Sequence, residues 1–398
     1  MQTVETSHKK IDNKLIQKKN LVGLSEKELY DSILELKIPK QKASMRAKQL
    51  WSWVYCHGKK DFSEMSNIDK VFRSDLKNHF SLERLKIEKK EKSSDGTIKY
   101  LFSLNDNSKI ETVFIPEKKR STLCISSQVG CTLNCSFCHT GTQKLVRNLS
   151  AEEIVGQLIA VYDDLQHWEK SKKISDGLSN YQIITNIVFM GMGEPLLNYS
   201  EVKKAVMILM NEKGLDFSRR RITLSTAGVV PMIKKAHDEL GCMIAISLHA
   251  TEDKTRNILV PLNKKWPIDA LIKTLKDDLQ LRNSERITFE YVMLKDINDT
   301  EFDAKRLVKI IQGLPSKINL IPFNQWIGSG YERSSQKKIQ AFSEIIKKAG
   351  FPSPVRSPRG EDIMAACGQL KSASKRLNRQ FNQDTSQSSE KNLAAVSA

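Results

Sequence analysis

The chain reads as an α/β protein: a parallel sheet flanked by helices, preceded by a small helical unit. Three observations predict this. After residue 120 a strand followed by an amphipathic helical stretch recurs six times, the pattern of parallel strands joined by crossover helices. Up to about residue 80 the apolar residues fall at helical spacing instead. A length of 398 residues is enough for one large domain and one small one.

The first twenty residues, MQTVETSHKKIDNKLIQKKN, are polar and lysine-rich and lack the apolar stretch of a signal peptide, so residues 1–20 are expected to be disordered. Ser25-Glu-Lys-Glu28 is a capping box, a serine and a glutamate three apart that satisfy each other's backbone donors at a helix start. Leu29, Ile33, Leu34 and Leu36 then give that helix its apolar face. Further helices are predicted over 42–56 and 68–80, making residues 21–96 a helical accessory unit. Lys42, Arg46 and Lys48 on the second helix either touch phosphates or form a solvated face.

From Lys99 the period changes to two. Segments 98–104 and 110–115 read as a hairpin turning at Asn105-Asp-Asn107. The six strands lie near 122–127, 184–190, 221–225, 242–248, 286–293 and 317–322. The first crossover helix opens on a second capping box, Ser150-Ala-Glu-Glu153, before Ile154, Val155, Leu158 and Ile159. Residues 97–368 thus form the main domain. Periodicity alone does not separate a barrel from an open doubly wound sheet. From residue 369 to 398 Lys, Arg, Gln, Asn and Ser dominate, which predicts a second disordered, basic tail.

Composition narrows the partners. Apolar residues make up 39%, on the low side for a fully globular chain, as two polar tails would require. A net charge of +18 and a pI near 9.4 favour an anionic partner, most simply nucleic acid. Seven cysteines without scaffold-like density fit a reducing compartment. No apolar run approaches membrane-spanning length, so a cytoplasmic protein is expected.

The cysteines concentrate the chemistry. Cys131-Thr-Leu-Asn-Cys135-Ser-Phe137-Cys138 puts three thiols within eight residues. A structural zinc site would need a fourth ligand, for which His139 is at hand. Cys135-Ser-Phe-Cys138-His139 also matches the attachment pattern of a c-type haem, which belongs outside the cytosol. A disulfide is disfavoured by the compartment. An iron–sulfur cluster held by three thiolates keeps one iron free for a small molecule. Other polar residues fall just past predicted strands: Gly193-Glu194, Ser225, Ser247 to His249, and Asn324. Loops at the carboxyl ends of parallel strands are where α/β folds bind ligands. Taken singly, Cys56, Cys242 and Cys367 read as small buried hydrophobes and Glu111 as a strand carboxylate.

The spacing Cys-x-x-x-Cys-x-aromatic-Cys, with Phe137 as the aromatic, resembles the signature of the radical S-adenosylmethionine (SAM) enzymes. Gly191-Met-Gly-Glu194-Pro195, Leu224-Ser225-Thr226, Ser247-Leu248-His249 and Ala365-Ala-Cys367-Gly368 fall as they do in the RlmN/Cfr group of RNA adenine methyltransferases, a match running from about Glu111 to Cys367. The resemblance implies a partial (βα)6 TIM-like radical SAM barrel behind the helical unit. It implies that Cys131, Cys135 and Cys138 hold a 4Fe–4S cluster whose fourth iron takes the amino and carboxylate groups of SAM. Gly193 and Glu194 would grip the methionine amino group, and Ser225, Ser247, Leu248, His249 and Asn324 would line the rest of that cofactor.

Cys367 matches the methyl-carrying cysteine, with two SAM molecules used per turnover. Cys124 matches the partner that attacks the Cys367–RNA adduct and leaves a transient disulfide, and Glu111 the proton acceptor. His139 matches no required ligand. The implied partners are 23S rRNA, tRNA and a flavodoxin-like reductant with its reductase, around a monomer that touches no membrane. Methylation at adenine carbon 2 is the expectation. Methylation at carbon 8, the Cfr type, would use the same cysteines. A zinc-stabilised RNA-binding protein would leave Cys367, Glu194 and the strand-end polar residues without a purpose.

Overall fold

The computed structural model describes residues 18–118, 120–168, 183–283, 285–372 and 374. Three helices come first: α1 (Glu26–Leu34), α2 (Lys40–Tyr55) and α3 (Lys70–His79). Ser25 caps α1 with the reciprocal Glu28 contact that the sequence predicts. Nine strands follow in one sheet: β1 (Lys86–Lys92), β2 (Ile98–Ser103), β3 (Lys109–Pro116), β4 (Ser121–Cys124), β5 (Asn186–Phe189), β6 (Ile222–Thr226), β7 (Met243–Ser247), β8 (Ile287–Met293) and β9 (Ser316–Pro322). All six expected parallel strands are present, as is the hairpin of β2 and β3.

Strand order decides between the two architectures. The nine strands lie side by side in strict chain order; β1 to β4 pair antiparallel and β4 to β9 parallel. A doubly wound sheet reverses its order at a switch point. Here nothing reverses, so right-handed crossovers carry every helix to one face and the twisted sheet curls into a partial barrel. Helices α4 (Ala151–Asp164), α5 (Tyr199–Met210), α6 (Val230–Leu240), α7 (Asp253–Leu259), α8 (Ile268–Lys273), α9 (Glu301–Ile311) and α10 (Gln336–Lys348) occupy those crossovers and the stretch after β9.

The last strand is not left bare. The Ile318 and Leu320 amides donate to the carbonyls of Pro352 and Pro354, and the Arg356 amide donates to Leu320, so residues 352–356 lie as a strip along β9. That strip leads directly to Cys367. The N-terminal helices pack over α4, where Asn20 donates to Glu152 at 2.9 Å and Arg84 to Asp163 at 2.9 Å. Covered on both sides, α4 is buried from Ile154 to Tyr162, which explains its nearly unbroken apolar run.

Four expectations are corrected. β1, sequence KIEKKEK, starts the sheet inside the stretch assigned to the helical unit; its charges mask a strand fixed by pairing with β2. Lys19 and Asn20, expected to be disordered, form a short parallel ladder with Phe80 and Ser81. Residues 369–372 and 374, expected to begin a loose tail, are pinned: Thr140 Oγ1 donates to Leu370 at 2.6 Å and Gln143 Nε2 to Ser372 Oγ at 2.9 Å. The rest of both tails lies outside the described residues. Cys56, read as core, is exposed, its sulfur donating to the Lys213 carbonyl, whereas Cys242 is buried as expected. Among the described residues no helix is long and apolar enough to cross a membrane.

Candidate active site

Two cavities meet inside the barrel at its carboxyl end. The smaller is lined by Cys131, Cys135 and Cys138 from the loop after β4, by Gly193 and Glu194 after β5, by Ser225, Ser247 and His249, and by Cys367. The larger runs along β3, β4 and β9 and is lined by Cys124, Asn324 and again Cys367. Cys367 therefore stands in the wall that the two share.

Glu194 is built into its place. Its carboxylate accepts from the amides of Leu196 at 3.0 Å and Ala227 at 2.8 Å, which stitches the β5 loop to the β6 loop. Burial pushes its pKa up to about 7. Gly193 has φ +98°, and a Cβ there would sit 2.5 Å from the Gln128 side chain, so only glycine lets the chain pass. His249 also has positive φ; its Nδ1 accepts from the Val292 amide, which leaves Nε2 to carry the proton of the neutral ring. Burial, and then the charge of Arg256, hold His249 down to about 3, so it stays neutral. Leu248 is buried and lies outside the lining; its carbonyl accepts from Arg256.

Arg256 is the residue that the sequence reading missed. It is 1% exposed, and its guanidinium donates to the carbonyls of Leu248, Ala227 and Ser247 and to Asn263 Oδ1, at 2.6–3.1 Å. One side chain thus ties the loops after β6 and β7 together behind the cysteines. In sequence it sits in DKTRNIL, indistinguishable from a solvated helix turn.

The sulfurs fall into two groups. Burial pushes Cys131 up to about 12 and Cys135 and Cys138 above the ordinary thiol range. Such desolvated thiols ionise readily only against a cation or metal. Among the described residues the three thiols are not drawn together into a closed metal-ligand group, but three thiols on one loop lining one cavity are the donor set an iron–sulfur cluster with an open position takes. His139 does not complete a zinc set: its Nδ1 lies 3.1 Å from the Gln369 carbonyl, its amide donates to Gly368 at 2.7 Å, and its ring stacks on Trp326. It braces the Cys367 loop instead.

Cys124 and Cys367 are the second group. Both are free thiols, and ionising Cys367 raises Cys124 further above the range set by burial. Arg356 pulls Cys367 back towards ionisation against its own desolvation. Asn324 lines the larger cavity; its Nδ2 donates to the Cys367 carbonyl at 3.1 Å, while its buried Oδ1 has no hydrogen-bond partner among the described residues. Glu111 shares a β3 face with Val113 and Ile115, which line that cavity, yet it is not itself in the lining. Its carboxylate accepts from the Lys371 amide at 2.8 Å and lies 3.6 Å from Lys99 Nζ. Burial raises its pKa and Lys99 opposes the rise.

Comparison with known proteins agrees with this arrangement. Residues 125–305 match the model of the radical SAM superfamily, and residues 19–82 match that of the ribosomal RNA large subunit methyltransferase N-terminal domain. The dual-specificity RNA methyltransferase RlmN of Cereibacter sphaeroides is 55% identical over 360 residues, covering 90% of this chain and 91% of that protein. That of Paracoccus denitrificans is 52% identical over 358 residues, with the same coverage. The crystal structure of a radical SAM methyltransferase from Sphaerobacter thermophilus superposes with a TM-score of 0.80 at 38% identity, over 89% of this chain and 99% of that one. The match of both halves, at this identity and over this length, places the chain in the RlmN family of dual-specificity RNA methyltransferases within the radical SAM superfamily.

Proposed function

We propose that the protein methylates carbon 2 of adenine in 23S rRNA at the peptidyl-transferase centre and in tRNA beside the anticodon, through a methyl group carried on Cys367. The supporting observation is the position of Cys367 in the wall between a cavity lined by three cysteines and a second cavity that also holds Cys124. Cys131, Cys135 and Cys138 would hold the 4Fe–4S cluster, with SAM against Gly193, Glu194, Ser225, Ser247 and His249. Bound there, cluster and SAM supply one-electron cleavage to methionine and a 5′-deoxyadenosyl radical. Leu248 shapes this wall through its carbonyl, and Asn324 positions the Cys367 backbone.

The chain's own residues would act as follows. The Cys367 thiolate would take the methyl group of one SAM, its S–CH3 bond forming as the sulfonium carbon–sulfur bond breaks and S-adenosylhomocysteine leaves, and Arg356 favours the thiolate that this needs. Cys367 would then hold that methyl group, within reach of the hydrogen-abstracting radical that a second bound SAM would supply, and present its carbon to the adenine. Glu111 takes the proton of that carbon, once its carboxylate is freed from Lys371. With the surplus electron taken up by the bound cofactor, the Cys124 thiolate would attack the Cys367 sulfur; the sulfur–carbon bond breaks with its pair on carbon, a proton completes the methyl group, and a disulfide remains to be reduced before the next turnover, the flavodoxin-like donor supplying the electron for SAM cleavage. This setting is a reducing, cytoplasmic one, and the enzyme works as a monomer.

Mass spectrometry of nucleosides from treated RNA tests the regiochemistry: 2-methyladenosine is expected, and 8-methyladenosine in its absence would point to the Cfr type. The Glu194 contact has its own signature. With its pKa raised to about 7, the carboxylate that an ammonium requires disappears as pH falls. SAM affinity should therefore rise with pH through 7, drop about tenfold per unit below it, and level off above pH 8. Equilibrium dialysis with Glu194→Gln should give weak binding that no longer follows this curve.

A further inference from the structure

The larger cavity holds charges that the chemistry above does not use. Arg120 stands immediately before β4, Lys317 lies on β9 and Arg356 on the strip beside β9, and all three line the cavity. β4 and β9 are the two limits of the parallel run, so these cations approach one another from opposite sides of the gap where the barrel fails to close. Among the described residues none of the three side chains forms an ion pair, and Arg120 Nε is buried without a hydrogen-bond partner.

Burial and then the charge of Arg356 hold both Arg120 and Lys317 below their ordinary ranges, and Arg221 adds to the repulsion on Arg120. The opposing acids are few. Glu117 lines the same cavity and partly offsets Arg120; buried Glu290 accepts from Asn319 at 2.7 Å and partly offsets Lys317 and Arg356; Arg359 faces Asp95 at 3.8 Å. Half-buried cations facing each other across a cavity are unfavourable until an anion enters.

We propose that Arg120, Lys317 and Arg356 form a phosphodiester subsite that seats a backbone phosphate of the substrate RNA in the barrel gap while the target adenine reaches Cys367. This rests on the RNA methyltransferase reading. A guanidinium matches two phosphate oxygens at once, and the lysine supplies a compact point charge. The methionine carboxylate of SAM is the wrong occupant, because the cavity lined by the cluster cysteines and Glu194 contains none of the three cations. Arg120 precedes Cys124 by four residues, roughly 13 Å of strand at ~3.3 Å per residue, and both line the same cavity as Cys367, so the cations and the thiols share one space.

The test uses holoenzyme with Arg120→Gln, Lys317→Gln and the double variant, sparing Arg356 because its charge also acts on Cys367. The probe is a 23S rRNA hairpin containing the target adenine. The double variant should bind it about tenfold more weakly, with the slope of log Kd against log salt reduced by up to roughly 0.7, the share of the one phosphate that the subsite neutralises. Arg120→Lys and Lys317→Arg should restore the slope, which separates lost charge from lost structure. SAM cleavage without RNA should match wild type. Wild-type affinity and slope in the double variant would overturn the subsite, as would equal losses in the charge-retaining variants. Wild-type enzyme that binds RNA through these cations yet forms no methyladenosine would uphold the subsite and overturn the methylation reading.

Discussion

Cys367→Ala is expected to reduce RNA methylation to background while reductive cleavage of SAM continues. The reason is spatial. Cys367 lines both cavities, whereas Cys131, Cys135 and Cys138, the proposed cluster ligands, and Glu194 are held by backbone bonds that do not involve it. His139 and Asn324 hold the loop through the carbonyls of Gly368, Gln369 and Cys367, so removing a sulfur leaves the loop in place. Chromatography of 5′-deoxyadenosine and transfer of labelled methyl to RNA read the two outcomes separately. Methyl transfer persisting in the variant would refute the carrier.

Arg256→Met should give the largest loss of stability of any single change near the site. Methionine fills similar space but removes the guanidinium donors from the carbonyls of Ala227 and Ser247 and from the Asn263 amide oxygen, while Leu248 keeps only the Ala250 amide. An unsatisfied buried acceptor costs ~1–3 kcal/mol, so a total of at least about 3 kcal/mol is expected even if the loops partly relax. In a domain of this size that lowers the melting temperature by roughly 6–12 °C. Calorimetry should show the drop, and an unchanged transition would mean that water replaces the guanidinium.

Much of this molecule is legible where apolar spacing and capping chemistry agree. The six parallel strands and both serine-led capping boxes sit where their residues predict, because strand burial and helix starts are local consequences of composition. What stayed hidden depends on distant partners. β1 looks like a charged linker until β2 pairs with it, and as an outer strand it can carry lysines and glutamates at little cost. Residues 352–356 contain prolines at 352 and 354, which argue against a strand, yet β9 supplies the complementary donors. Arg256 could not be told from a surface arginine, because the carbonyls it satisfies come from loops up to 29 residues away. The motif cysteines and Glu194 were legible as a set, whereas the engagement of Glu111 by Lys371 depends on chain 260 residues further on.

The strip along β9 has a mechanical consequence. Three backbone bonds attach it to the barrel, and its two prolines have no amide hydrogen with which to add more. The β8–β9 ladder beside it is paired over seven residues. Cooperative stability is therefore unequal on the two sides of β9, firm within the sheet and slight at its rim. Cys367, the proposed methyl carrier, follows that rim in the chain, so its place is set less by the strip than by the later contacts of Thr140 with Leu370, Asn324 with the Cys367 carbonyl and His139 with Gly368.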